Sequence, residues 1–220
     1  MNCRLVLLFA KTKIMKIIKS YFPELSEEQL QQFEMLMRLY PEWNAKINVI
    51  SRKDIDNLEV NHLLHSLALV KFVKFMPSTT VMDLGTGGGL PGLPLAIYFP
   101  DVKFHLVDRV AKKLRVAQDI AEQAGLTNVT FQHGDVLEVK GKFDFVVSRA
   151  VMPLGDMLKL VRRFISPDSH NAIPNGLLCL KGGDLDAELS KYKREALVDD
   201  IGNYFKEDFF TTKKIVYYPI

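Results

Sequence analysis

The sequence predicts an α/β fold with a mainly parallel, Rossmann-like sheet preceded by a helical cap. Three observations predict it. From residue 79 onward, short β-rich runs alternate with helical runs, the pattern of βαβ units. A glycine-rich turn, Gly85-Thr86-Gly87-Gly88-Gly89, follows the first of those runs and leads into a helix. An acidic residue, Asp108, ends the second run, 23 residues after Gly85.

The elements follow in order. Residues 23–76 read as helical. Ser26-Glu27-Glu28-Gln29 is a capping-box pattern, with Ser at the N-cap and Gln three residues later. Leu30, Phe33, Met37 and Tyr40 recur at helical spacing, and Pro41 is expected to close that helix. Val60, Leu63, Leu64, Leu67 and Val70 form a second apolar stripe, so a helix is expected over 60–75. Strands are expected over 79–84, 103–107, 129–132, 143–148, 177–180 and 215–218. Helices are expected over 91–98, 111–124 (with Gly125 as its stop), 156–165 and near 184–195. The resulting organisation is an extension over 1–14, a helical cap over 15–76 and a sheet domain over 77–220. Five basic residues and no acid in 1–22, with a second methionine at Met15, set the extension apart.

Composition narrows the classes. At 48% hydrophobic and 25% charged residues, the chain matches ordinary globular proteins and neither disordered nor fibrous ones. Two cysteines, Cys3 and Cys179, cannot build a disulfide framework or a four-ligand zinc site. Both are read as reduced, in a cytoplasmic protein, and no metal is expected. The apolar run 5–10 is far shorter than the roughly 20 residues of a membrane span, so no membrane partner is expected. The net charge of +3 sits largely in the basic N-terminus, so any case for nucleic acid must come from local patches.

The chemistry concentrates at the glycine-rich turn. Glycines let the backbone bend sharply and approach a ligand without Cβ clash. In doubly wound sheets ligands bind beyond the carboxyl ends of the strands. Asp108 there suits two ribose hydroxyls, which points to a nucleoside-bearing cofactor. A nicotinamide dinucleotide would place pyrophosphate at the helix start, where Asp83 is an awkward neighbour. S-adenosylmethionine carries an ammonium, a sulfonium, a ribose and an adenine, and no phosphate. The order Asp83-x-Gly85-x-Gly87-x-Gly89 favours it; a dinucleotide, or tight packing with no ligand, are the competing readings.

Two further positions belong to the same edge. Asp135-Val136-Leu137, after the third strand, falls where an adenine would lie, with a plain turn as the alternative. Arg149 follows a buried apolar strand directly, where a guanidinium is costly unless it pairs or binds something.

Taken together these segments resemble a known family. Gly85-Thr86-Gly87-Gly88-Gly89-Leu90-Pro91-Gly92-Leu93-Pro94, Val107-Asp108-Arg109 with Lys112-Lys113, Ser148-Arg149-Ala150 and Leu180-Lys181-Gly182 occur in order. Upstream, Trp43-Asn44-x-x-Ile47-Asn48-Val49 and His62 with Ser66 also fit. They resemble the RsmG family, also called glucose-inhibited division protein B, over residue 15 to the C-terminus. The resemblance implies a class I S-adenosylmethionine-dependent methyltransferase fold, with a mainly parallel seven-stranded sheet and an N-terminal helical cap. It implies methyl transfer to N7 of a guanine in the 530 loop of bacterial 16S ribosomal RNA, within the 30S subunit or its assembly intermediate. It also implies cofactor contacts at Gly85, Leu90, Val136, Leu137 and Arg149. In two places the chain departs from the family pattern. Asn61 and His65 stand where the family commonly has Arg and Asp on the cap helix, and Arg109 replaces the Ser usual after the second-strand acid.

Guanine N7 has a lone pair and no proton at neutral pH, so its methylation needs alignment and no general base. No catalytic His or Cys is therefore expected. Guanine N7 and O6 are acceptors, which suits Arg149 as a donor, although the cofactor is an equal claimant on it. RNA phosphates would be met by Lys46, Arg52 and Lys53 on the cap, by Arg109, Lys112, Lys113 and Arg115 near the turn, and by Arg162 and Arg163; each group also reads as a merely solvated face. His62 joins this set through the family match. The protein is expected to be a monomer. A small-molecule methyltransferase on the same fold, or a non-catalytic adenosylmethionine- or RNA-binding protein, remain the alternatives.

Overall fold

In the computed structural model, residues 15–149 and 151–220 are described. The expected extension over 1–14 lies outside the described residues. The cap begins with α1 (Lys16–Tyr21) and α2 (Glu27–Asn44). Both arms of the capping box form: the Ser26 hydroxyl accepts the Gln29 amide at 3.2 Å, and the Gln29 side chain accepts the Ser26 amide at 2.9 Å. The Gln29 side chain also donates to the carbonyls of Ile97 and Tyr98, which ties the start of α2 to the sheet domain.

Pro41 does not end α2, contrary to expectation; the helix runs through it to Asn44. The ring removes the amide that would bond the carbonyl of Met37. Tertiary anchors on the last turn outweigh that loss. The buried Tyr40 hydroxyl donates to Gly88, the Trp43 indole to Asp119, and the Asn44 side chain bonds the backbone of Val49 and Ile50. After a short turn at Ile55–Asn57, a wide helical turn over Glu59–Leu64 runs without a break into α3 (His65–Phe72).

The strands are β1 (Thr80–Leu84), β2 (Lys103–Asp108), β3 (Val129–His133), β4 (Phe145–Arg149), β5 (Gly176–Gly182), β6 (Leu197–Asp200) and β7 (Lys213–Pro219). They form one seven-stranded sheet in the order β3-β2-β1-β4-β5-β7-β6. β1 to β5 pair in parallel, and β7 runs antiparallel to both β5 and β6. The linking helices are α4 (Gly92–Tyr98), α5 (Ala111–Gln123), α6 (Leu154–Val161) and α7 (Asp186–Leu189). Gly125, with φ of +70°, stops α5 as expected, and the Leu126 amide returns to the Ala121 carbonyl.

Three further differences from expectation follow. The helix expected over 156–165 starts at Leu154 and gives way after Val161 to a tighter turn over Arg162–Phe164. The helix near 184–195 shrinks to Asp186–Leu189, because little beyond Leu185, Leu189 and Tyr192 reaches the core. The strand β6 was not expected. Its sequence, Leu-Val-Asp-Asp, has no strand signature, and it forms by pairing with β7, from Leu197 opposite Tyr217 to Asp200 opposite Lys214.

One apolar core fills the space between the cap, α4, α5 and one face of the sheet, so Phe33, Leu67, Leu106 and Val147 share it. A second lies between the other face and α6, with Met82, Val146, Leu158 and Leu177. The sheet register decides where chemistry can occur. Asp83 stands opposite Leu106 and Val147, and Asp108 stands opposite His133. The ends of β1, β2, β3 and β4 thus meet at one edge. Among the described residues no helix is long and apolar enough to cross a membrane.

Candidate active site

The glycine-rich turn is pinned on both sides. The amides of Gly85 and Thr86 both donate to the Val107 carbonyl, at 2.9 and 3.1 Å. The Gly87 amide donates to Asp108 Oδ2 at 2.7 Å, and the other oxygen of Asp108 accepts the Val110 amide at 2.7 Å. Asp108 therefore shapes the turn as well as facing the space beyond it. Gly87 has φ of +59°, and a Cβ built there meets no protein atom within 4 Å. The turn consequently presents bare backbone to open space, the room a ligand would take.

Asp83 sits beneath the turn, fully buried. Its Oδ2 accepts the Thr86 hydroxyl at 2.6 Å and the Gly92 amide at 2.8 Å, and so joins the start of α4 to the turn. Its Oδ1 is buried with no hydrogen-bond partner. Burial pushes the carboxyl up to about 7, against the pull of Thr86, Gly92 and the Arg149 charge. A buried carboxylate oxygen without a donor, beside an open turn, fits a cationic ligand of the kind the sequence implied.

Beyond the turn lies a cleft of about 200 Å³, lined by Gly85, Asp108, Arg109, Gly134, Val136, Val151 and neighbouring apolar residues. Of the expected adenine-side residues, Val136 lines it. Leu137 is 51% exposed and stands outside it. Asp135 is engaged elsewhere: one oxygen caps the Leu137 amide and the other pairs with Arg109 at 2.6 Å. Leu90 and Gly89 pack into the protein rather than toward the cleft; a Cβ on Gly89 would lie 2.6 Å from the Leu93 side chain.

A second cavity, about 570 Å³, adjoins it. Its walls include Arg149, His62, His65, Asp54, Lys181 and Phe209. Arg149 donates to His62 Nδ1 at 3.0 Å. A guanidinium can only donate, so His62 is neutral and carries its proton on Nε2. Burial, reinforced by the Arg149 charge, pushes the His62 imidazole down to about 4. His65 is driven well below its ordinary value for the same two reasons and lies edge-on to Phe209 and Phe210. Burial lowers the Arg149 pKa too, opposed by Tyr40, Asp83 and Asp54. The cavity therefore holds a guanidinium bonded to one uncharged imidazole, with a second uncharged imidazole in its wall.

Sequence reasoning found Arg149 and His62 but missed His65 as a wall of this cavity, together with Phe209 and Lys213. The last two come from the C-terminal segment, and no local motif marks them. Cys179 is buried, and desolvation pushes its thiol up to about 12, so it is inert as a nucleophile. Lys46, Arg52, Lys53, Arg109, Lys112, Arg162 and Arg163 are exposed, and Lys113 is half-buried. Lys46 lies over the Trp43 ring, and Arg162 over Tyr218.

The sheet order, the pinned glycine turn and the acid closing β2 define the class: a Rossmann-like, S-adenosylmethionine-dependent methyltransferase fold. A solved SAM-dependent methyltransferase from Aquifex aeolicus shares this fold, with a TM-score of 0.51 at 16% identity over 70% of this chain and 89% of that one. The particular family follows from the sequence matches. The profile of GidB, rRNA small subunit methyltransferase G, matches residues 29–215, and the chain belongs to that family. The relative in Phocaeicola vulgatus named ribosomal RNA small subunit methyltransferase G is 58% identical over 206 residues, covering 94% of this chain and 99% of its own. The one in Bacteroides thetaiotaomicron is 57% identical over 206 residues, covering 94% and 100%. The resemblance read from the motifs is borne out.

Proposed function

We propose that this protein transfers a methyl group from S-adenosylmethionine to N7 of a guanine in the 530 loop of 16S ribosomal RNA. Family membership supports an rRNA methyltransferase, and the chemistry of the site supports the finer reading. When bound, S-adenosylmethionine supplies an electrophilic methyl on a sulfonium. Gly85, Gly87, Asp108 and Val136 would hold it along the cleft, with Asp83 answering its positive charge from beneath the turn.

The observation that carries the guanine reading is Arg149: a half-buried guanidinium facing a cavity that adjoins the cleft. Guanine offers two acceptors, N7 and O6, on one edge. A donor on O6 orients the base and leaves the N7 lone pair free. No proton leaves N7, so the site needs no base, and the two imidazoles, neutral at pH 7, take no charge from the reaction. The exposed lysines and arginines supply phosphate contacts, with Lys46, Arg52 and Lys53 on the cap and Arg109 and Lys112 beside the cleft.

The test is methyl transfer from labelled cofactor to purified 30S subunits, to naked 16S rRNA and to small acceptors. Label in the subunit at guanine N7 is the expected result. Label only in small molecules would replace this reading with a small-molecule methyltransferase, and label in none would remove the enzyme reading.

A further inference from the structure

Val151 and Met152 line both the cleft and the cavity, so these two residues, between β4 and α6, form the wall that the two spaces share. On one side it touches the turn: a Cβ built on Gly85 would lie 2.9 Å from the Val151 side chain. Val151 itself is 38% exposed, whereas Met152 and Leu154 pack against the core on the other face of the sheet, so the exposed end of the wall is held from elsewhere. Two side chains from later elements hold it. Lys181, in β5, donates to the Met152 carbonyl at 3.0 Å and pairs with Glu188 at 2.7 Å. Glu188, in α7, accepts the Leu154 amide at 2.6 Å through the same oxygen that meets Lys181. One side chain pins the carbonyl before Pro153 and the other pins the amide after it. The Lys181 side chain is only 10% exposed, a setting in which an ammonium is retained only with partners.

We propose that the Lys181–Glu188 pair is a positioning device for methyl transfer. It fixes the wall over 151–154 so that the cofactor cleft and the acceptor cavity open onto each other at one separation. The inference rests on the methyltransferase reading above. Lys181 and Glu188 act through the wall; neither is a catalytic residue. Displacing reacting groups by about an ångström costs on the order of 100-fold in rate, so a loosened wall shows in turnover before it shows in binding.

The experiment uses the full chain with 30S subunits. Lys181→Met and Glu188→Ala are each expected to lower kcat about 10- to 100-fold per cofactor-binding chain, while KM for the subunit and cofactor affinity change less than about threefold. Lys181→Arg is expected to restore most of kcat, and the double variant to be no worse than the poorer single one, because both act through one segment. Amide hydrogen exchange at Leu154 should accelerate in both single variants. Unchanged kcat in folded Lys181→Met, or fully additive losses in the double variant, overturns the proposal. If Lys181→Met does not fold, Glu188→Ala and Lys181→Arg decide by the same readouts. A wild-type chain that methylates nothing sinks the functional reading, whereas unchanged exchange at Leu154 sinks the clamp.

Discussion

The hydroxyl of Tyr40, fully buried on the cap, donates to the carbonyl of Gly88 in the glycine-rich turn at 2.9 Å. The cap thereby reaches across the molecule and bolts down the turn that faces the cleft. Val49 completes the contact, since a Cβ on Gly88 would lie 2.9 Å from its side chain. The cap is therefore a structural part of the site whatever it contributes to RNA.

Tyr40→Phe isolates this bond. It leaves the ring in place and strands the Gly88 carbonyl in a dry setting, which costs about 1–3 kcal/mol. Denaturant midpoints should fall accordingly, and calorimetric cofactor affinity should weaken by several-fold. Unchanged affinity would mean that the turn holds its shape without the cap.

Gly87 and Gly89 separate ligand space from packing space. A leucine at Gly87 meets no protein atom at its Cβ, so the chain should fold, with a backbone penalty of about 1–2 kcal/mol from the positive φ. Cofactor binding should be lost, because the side chain enters the open turn. Alanine at Gly89 instead collides with Leu93, crowds Ala117 and takes a positive φ, and should lower thermal stability strongly. Calorimetry on folded Gly87→Leu with normal affinity would refute the placement of the cofactor at this turn.

Stability should report two kinds of group with opposite pH slopes, the imidazoles of His62 and His65 and the carboxyl of Asp83. Unfolded, an imidazole takes up its proton near pH 6.5; folded His62 does so only at about 4, so in that window stability falls as pH falls. His65 adds in the same sense. Asp83 runs the other way: its carboxyl ionises near 3.8 when unfolded and at about 7 when folded, so its contribution is complete below 3.8 and lost as pH rises to about 7. Between pH 4 and 6.5 the slopes oppose, each group contributing at most about 1.4 kcal/mol per pH unit. Urea titrations should show His62→Gln tilting the profile toward stability at low pH, and Asp83→Asn tilting it toward stability at high pH.

Arg149→Lys tests the assignment of the cavity. Lysine keeps the charge and loses the planar fork of donors, so methylation of 30S subunits should fall about 10- to 100-fold. A loss seen in turnover or in KM for the subunit, at unchanged cofactor affinity, places Arg149 on the base. A matching loss of cofactor affinity moves it to the cofactor. His62→Phe, which removes the acceptor of the Arg149 bond, should reproduce part of the same defect.

Much of this was legible in the chain alone. The alternation of short strands and helices, Ser26 with Gln29, and Gly125 at the end of α5 are local signals, fixed by neighbours within a few residues. The turn from Asp83 to Gly92 was legible because its backbone conformations and its buried carboxylate are written in one short segment. Tertiary structure decided the rest. Whether α2 would survive Pro41 depended on Gly88 and Asp119, which lie 47 and 78 residues beyond that proline. β6 exists only because β7 is there to pair with it. The sequence marked Asp135 and Arg109 as separate candidates, and folding pairs them at the rim of the cleft. The second cavity gathers His65 from the cap, Arg149 from β4, Lys181 from β5 and Phe209 from the C-terminal segment, and a set so dispersed comes together only when the chain folds.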